Sequence, residues 1–581
     1  MSGATEGMGG FSRSAFDSGT LRLGGGDIGG KAQGLVFFST MLEAEYDPTR
    51  LPEIEVTVPP FAVLTTSVFD AFVTQAALGD LNFDELTDHE IALAFQATPL
   101  PADAVTFLTS LVEEVRAPLA VRSSSLLEDA IFHPLAGVYE TKMVPNNQPD
   151  IELRLRKIIE AVRFVYASTR FKQARDYLRA VGKDLADEKM AVVIQEIVGS
   201  TMGSRFYPHV SGVARTHNFY PSAGASSEEG VVSLALGLGK TIVDGGVCWT
   251  YSPARPKAPP PFGSVGDLMK NSQLGFWAVN LSPPAVEDVF SETEHMVRLD
   301  LVEAEQNGAL SLVASTYVPS SDRVVPGTGS AGPRVLNFAP LLQDNMLPLN
   351  DAIRELLAIC ERAAGADVEI EFAMAMNAGT ERARLGFLQV RPMFVSHETI
   401  DLHEHEFGRP DLVLAASHIM GNGSFEGIQD IVHVRRTEFE AKNTRRIGAE
   451  LEDLNRRLQD RGRPYLLIGF GRWGTSDPWL GVPVRWSSIS GAKVIVESSL
   501  PELVLDPSQG SHFFHNVMST GVGYLAIQHH ESPGINWDWL ERQPAQEETA
   551  LIRHVALPEP LTIKLDGQVG RAGIWHGNDR A

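Results

Sequence analysis

Five short patterns stand in one order through the first two thirds of the chain. They are Gly29-Gly30-Lys31, Val58-Pro59-Pro60-Phe61, Ala120-Val121-Arg122-Ser123-Ser124-Ser125, Gly237-Leu238-Gly239 and Leu388-Gln389-Val390-Arg391-Pro392. Each alone is weak, but they converge as chemistry. Glycines let backbone amides approach an anion, a lysine and an arginine neutralise phosphate, and a late polar pair can hold a metal. A chain that brings them together needs a phosphate pocket between its elements, and the expected chemistry is that of an ATP-using enzyme.

Composition sets outer limits. The 581 residues correspond to roughly three to four domains of ~150 residues, and 43% hydrophobic content suits ordinary packed cores. A net charge of −24 argues against broad nucleic-acid binding, because a phosphate backbone needs a basic face. A local cationic pocket is still allowed. Cys248 and Cys360 lie far apart and read as reduced thiols. No apolar run reaches the ~18 residues of a membrane span, and residues 1–19 are rich in Gly and Ser without a signal-peptide pattern. The expectation is a flexible tail followed by a cytoplasmic protein with no membrane or nucleic-acid partner. Its oligomeric state is left open.

Periodicity predicts a glycine turn feeding a helix over 29–44, a strand over 56–63 broken at Pro59-Pro60, and a helix over 68–77 with N-cap candidates at Thr65, Thr66 and Ser67. A strand over 118–121, one long amphipathic helix over 151–177 and a buried strand over 190–198 follow. Pro-rich 251–266 and 319–333 read as surface loops inserted within a domain. The runs 369–375 and 386–390 form a hairpin through Asn377-Ala378-Gly379. Alternation then places Glu369 and Glu371 on one face of one strand, and Gln389 and Arg391 on one face of its partner. A boundary falls near 395–405. The run His403-Glu404-His405-Glu406 beyond it reads as solvated and polar, and a basic helix spans 435–461.

With the whole series in view, residues 20–395 resemble the nucleotide-binding domain of phosphoenolpyruvate synthase and pyruvate phosphate dikinase. The matching segments are GGKAQGL, VPPFAVLTTSVFDAFV, AVRSSSLLED followed by LAGVYET, VVIQEIV, and EIEFA with FLQVRP. The resemblance implies an α+β or α/β chain: an ATP-grasp-like domain followed by a smaller mixed α/β domain over 396–581. It also implies roles. Lys31 and Arg122 would bind the ATP triphosphate, and Arg122 could fork two oxygens. Gly137 would keep a side chain out of the nucleotide's way. The backbone around Gln195, Glu196 and Val198 would meet the adenine edge. Glu371 and Gln389 would hold Mg²⁺ through oxygen, and Arg391 would stabilise the transferring phosphoryl group.

The chain also departs from that family. Lys240 follows Gly237-Leu238-Gly239, where an acidic residue is usual, and Ser211-Gly212-Val213 runs on to Arg215 without the usual Asp-Pro turn. No Thr-x-Gly-Gly stands ahead of a histidine, and ~180 residues are too few for a (β/α)₈ barrel. The phosphoryl acceptor is therefore a small molecule, a partner protein or an unfamiliar histidine. His512 is the first candidate, beside Gly510 and Ser511 at an expected helix start, and His515 is second. A histidine that merely caps or fills the core fits the same pattern. The Gly469–Gly481 run, dense in Gly and Trp, reads equally as a ligand loop or as glycine turns around structural tryptophans. The expectation is an ATP-dependent phosphotransferase. A ligase working through an acyl phosphate and a nucleotide sensor without turnover are the alternatives.

Overall fold

The computed structural model describes residues 12–577 except 76–77, 79–80, 127, 129–136, 222–224, 260–263, 285, 377–381, 394, 396–399, 476, 502, 504–511 and 568. The Asn377-Ala378-Gly379 turn, Gly510 and Ser511 lie outside the described residues.

Two sheets built from the first two thirds of the chain, up to Pro392, position the site, and the chain is mixed α/β as expected. In the first, strands run in the order Leu21–Leu23, Phe61–Leu64, Met190–Glu196, Leu119–Ser125, Thr141–Val144. The second runs Trp249–Tyr251, Val231–Ala235, Val210–Arg215, Val368–Met376, Ala383–Pro392, Ile54–Thr57. Pro59-Pro60 cannot donate ladder hydrogen bonds. That break lets the flanking strands Ile54–Thr57 and Phe61–Leu64 join different sheets. The opening helix Gly29–Glu45 packs on both the Leu119–Ser125 and Ala383–Pro392 strands, with Ala32, Leu35 and Phe38 buried.

Helices Asp88–Ala97, Ala102–Glu114 and Ile151–Ser168 cover the first sheet through Phe95, Leu108, Leu111 and Val162. The first two pass a membrane-span test only as a pair bent by 88°, and no single helix among the described residues is long and apolar enough to cross a membrane.

Several expectations are corrected. The long helix divides into Ile151–Ser168 and Lys172–Ala180. At the break, the Ser168 and Thr169 hydroxyls donate to Val165 O and Tyr166 O, at 2.6 and 2.7 Å, and so compete with the helix ladder. Phe171 turns inward to pack on Phe164. The stretch 319–333 contains the strand Arg323–Pro326, paired with Ala314–Val318. Within the expected tail, Arg13–Asp17 is a helix capped by Ser12, with Phe16 fully buried; one apolar anchor suffices to dock it. The His403–Glu406 run forms a short 3-10 turn in which Glu406 is buried and bonded by Lys564.

After residue 411, strands pair only with one another. A seven-stranded sheet carries four parallel central strands, Gly523–Ile527, Ala492–Ser498, Tyr465–Phe470 and Asp430–Val434. The helix Thr444–Asp460 and the helix His512–Ser519 connect successive parallel strands, so the apolar runs of this sheet are covered. The expected basic helix is thus shorter than 435–461, because 3-10 turns at Arg436–Glu438 and Ala441–Asn443 precede it.

Candidate nucleotide-phosphate site

A cavity of about 500 Å³ opens between the two first-half sheets, and loops from the second half close its remaining side. Lys31, Arg122, Gly137, Gln195, Glu196, Val198, Glu371, Gln389, Arg391 and His512 all line it. The structure thus gathers these ten residues in one place, while the second histidine candidate, His515, is buried in the same helix as His512.

The end of the cavity that holds Lys31 is built on close backbone approach. Gly29 has φ +74°, and a Cβ there would stand 1.7 Å from Ser124 O, so only glycine lets the helix begin against the serine strand. Lys31 follows and pairs with the buried Glu128. Glu128 is itself held by Ser123 Oγ at 3.0 Å and Ser125 N at 3.1 Å. Lys31 therefore has a fixed position rather than a floating charge.

Arg122 reaches from one sheet to the other. Its Nη1 donates to Gln195 Oε1 at 3.1 Å and to Leu388 O at 2.9 Å, and its Nη2 donates to Gln389 Oε1 at 2.8 Å. The Leu388 contact depends on a bulge. The hairpin pairs Glu371 with Gln389 and then Phe372 with Phe387, skipping Leu388 and freeing its carbonyl for the guanidinium.

Beside Arg122 the hairpin carries a buried ladder of charge. Arg215 Nε donates to Glu369 Oε2 at 2.6 Å, Arg391 Nη1 donates to Glu369 Oε1 at 3.3 Å, and Arg391 Nη2 lies 2.9 Å from Glu371 Oε1. Burial pushes the Glu369 carboxyl up, but the charges of Arg215 and Arg391 outweigh it and bring its pKa down to about 2. Glu371 Oε1 is buried and, although ion-paired, takes no hydrogen bond. Glu369 is thus enclosed by two arginines, whereas Glu371, which lines the cavity, is paired with Arg391.

The opposite end is mixed in charge. Lys240 lies 2.7 Å from Glu292 and 3.1 Å from Asp244; burial lowers its pKa, but these two carboxylates raise it more. Glu140 lines the same end, and burial, with Glu292 beyond it, lifts its pKa to about 7 against the pull of Arg485 and Lys240.

The second half supplies the last wall through Gly474, Thr475, Arg485, Trp486, His512 and Phe513. These residues follow the carboxyl ends of the parallel strands, the edge at which open α/β sheets hold ligands. Trp473 is structural, 1% exposed, with Nε1 donating to Val496 O at 3.1 Å. Gly474 and Thr475 beside it face the cavity. His512 rests on the glycine loop. A Cβ on Gly137 would stand 2.3 Å from its Nδ1, while Gln173 Nε2 donates to Gly137 O at 3.0 Å from the other side. Burial, then Arg391 and Lys31, push the imidazole well below its usual pKa.

Sequence reasoning missed Glu128, Glu140 and Arg485. Glu128 was signalled by its place at the end of SSSLLE, three residues past the arginine strand. Arg485 carried no local signal, since only the docking of the two halves brings it to the cavity.

Two sheets and a third wall around glycine turns, fixed cations and an acid–amide pair define an α/β nucleotide-binding protein. The chain belongs to the pyruvate phosphate dikinase AMP/ATP-binding domain family, whose model matches residues 26–409. It is similar to phosphoenolpyruvate synthase of Aeropyrum pernix, 27% identical over 241 residues, which is 38% of this chain. The aligned segment spans 26% of that relative.

Proposed function

We propose that the chain is an ATP-dependent phosphotransferase in which residues 20–395 form an ATP-grasp-like nucleotide domain and 396–581 a second domain that presents the acceptor. The observation that carries this reading is the contact of His512, from the second half, with Gly137 inside the cavity that also holds Lys31, Arg122 and Arg391. An acceptor imidazole beside phosphate-binding cations is what transfer to histidine requires.

In this reading Lys31 and Arg122 hold the triphosphate, and the segment from Gln195 to Val198 meets the base. Glu371 and Gln389, opposite each other in the hairpin, are oxygen donors of the kind Mg²⁺ takes; Arg391 and Arg122 hold Glu371 Oε1 and Gln389 Oε1 here, so both guanidinium groups would have to turn to phosphate for the ion to bind. When bound, that ion would neutralise phosphate charge during transfer. Arg391, spaced by Glu369 and Glu371, would face the phosphoryl group in flight. His512 stays neutral at neutral pH, so a ring nitrogen keeps the lone pair needed to attack. The N–P bond forms as the P–O bond to the departing nucleotide breaks.

Incubation with phosphate-labelled ATP tests the function. An acid-labile, base-stable label on the protein that disappears in His512→Ala supports it. ADP without labelled protein points to a ligase or small-molecule kinase, and no nucleotide turnover to a sensor.

A further inference from the structure

We propose that Arg472 is a positioning residue through which the second half sets the glycine turn that carries Lys240 into the cavity. The inference rests on the nucleotide-site reading and concerns how that site is held in shape.

The turn follows Gly237-Leu238-Gly239. The short helix Lys240–Val243 ends there, with Asp244 N donating to Lys240 O at 3.0 Å and Gly246 N to Thr241 O at 2.8 Å. Lys240, Ile242, Val243 and Asp244 all line the cavity. A helix this short has little stability of its own, because nucleation is unfavourable and few bonds repay it. Buried Ile242 packs it against Val213 and Ala235, and its C-terminal turn is held separately.

That grip comes from the other half. Arg472 Nη1 donates to Gly245 O at 3.2 Å and to Gly246 O at 3.3 Å, and Thr475 Oγ1 lies 3.5 Å from Gly245 O. Arg472 is placed firmly enough for this task. Its backbone N donates to Leu480 O at 2.8 Å, and its neighbour Trp473 is sealed in the core. Buried Glu497, which takes a 2.5 Å hydrogen bond from Tyr524 OH, lies in the field of the guanidinium. The chain of support therefore runs from the seven-stranded sheet, through Arg472, to the Lys240 turn. Gly246 cannot be replaced by a bulkier residue to strengthen the turn, since a Cβ would stand 2.7 Å from Thr241 O. A guanidinium has donors in a fixed plane for two adjacent carbonyls, which a lysine ammonium on a flexible stem matches only in part.

The test uses the full chain as wild type, Arg472→Ala and Arg472→Lys, with two measurements: ATP affinity by calorimetry and amide hydrogen exchange over residues 240–246. Both variants are expected to exchange faster over 240–246, with residues 231–235 protected as in wild type. ATP affinity should fall about tenfold in Arg472→Ala and less in Arg472→Lys. If Arg472→Ala does not fold, Arg472→Lys decides through the same two readouts. Wild-type exchange and affinity in the folded variants overturn the proposal. Failure of the wild type to bind ATP would instead overturn the nucleotide reading, and the exchange of 240–246 would then judge Arg472 by itself.

Discussion

His512 and Gly137 come from opposite halves of the chain and meet so closely that a single methyl group would not fit between them: a Cβ on Gly137 would lie 2.3 Å from His512 Nδ1. The glycine also holds φ +64°, a conformation that other residues enter at a cost of about 1 kcal/mol. Gly137→Ala should therefore push His512 away from the cavity. The expected outcome is a drop of tenfold or more in protein labelling by ATP, with only a small loss in thermal stability. Full labelling in a folded Gly137→Ala protein would show that this contact has no part in transfer.

If Lys31 and Arg122 hold the triphosphate as proposed, removal of either should weaken ATP binding by about 1.5–3 kcal/mol, or roughly 10- to 150-fold in Kd by calorimetry. Lys31→Ala does two things, because it also strands the buried Glu128 carboxylate. Adding Glu128→Gln should recover the melting temperature without recovering ATP affinity. Arg122→Ala should lose affinity too, since its loss also leaves the Gln195 and Gln389 oxygens without their donor. Wild-type affinity in both single variants would remove the assignment.

The two hairpin glutamates should respond differently. Glu371→Gln is expected to abolish Mg²⁺-dependent turnover while the protein still folds. Glu369→Gln breaks a buried pair with two arginines, and such breaks cost about 3–5 kcal/mol. Its signature is a lower melting temperature. Equal effects of the two substitutions on stability would contradict the division of labour between them.

Glu497 makes a pH-dependent prediction. Burial raises its pKa to about 7 against the opposing pull of its Tyr524 hydrogen bond and of Arg472. Between the ordinary carboxylate range and about pH 7 the folded chain holds this proton and the unfolded chain does not. Stability thus declines as pH rises through that window and levels off above it. Glu497→Gln should be stabilised relative to wild type more at pH 8 than at pH 5, as read from melting temperatures at the two values. A difference that does not change with pH would place the Glu497 proton elsewhere.

Local chemistry made much of this molecule legible in advance. The glycine–lysine helix, the arginine strand, the buried strand before the hairpin and the pairing of acidic with amide and arginine positions all follow from period and turn chemistry, because those signals act over a few residues. The break after Ser168 was less visible, since the hydroxyl bonds that end the helix compete with an apolar pattern that continues past it. The docked Arg13–Asp17 helix was hidden for a similar reason: its anchor is the single residue Phe16.

The sequence by itself determined the inventory: which residues carry chemistry suited to phosphate or metal, on which elements they sit and which neighbours share a face. Those properties are set by the side chains and by the 2.0- and 3.6-residue periods of strand and helix. Only the tertiary structure decided which members carry structure and which face a ligand. Glu369 and Glu371 are chemically equal in sequence, yet Arg215 and Arg391 enclose the first, while the second is paired with Arg391 and lines the cavity. The bulge at Leu388, the meeting of His512 with Gly137 and the grip of Arg472 on Gly245 and Gly246 were likewise decided by the three-dimensional fold. Each depends on packing between segments distant in the chain, and no local pattern encodes the distance between them.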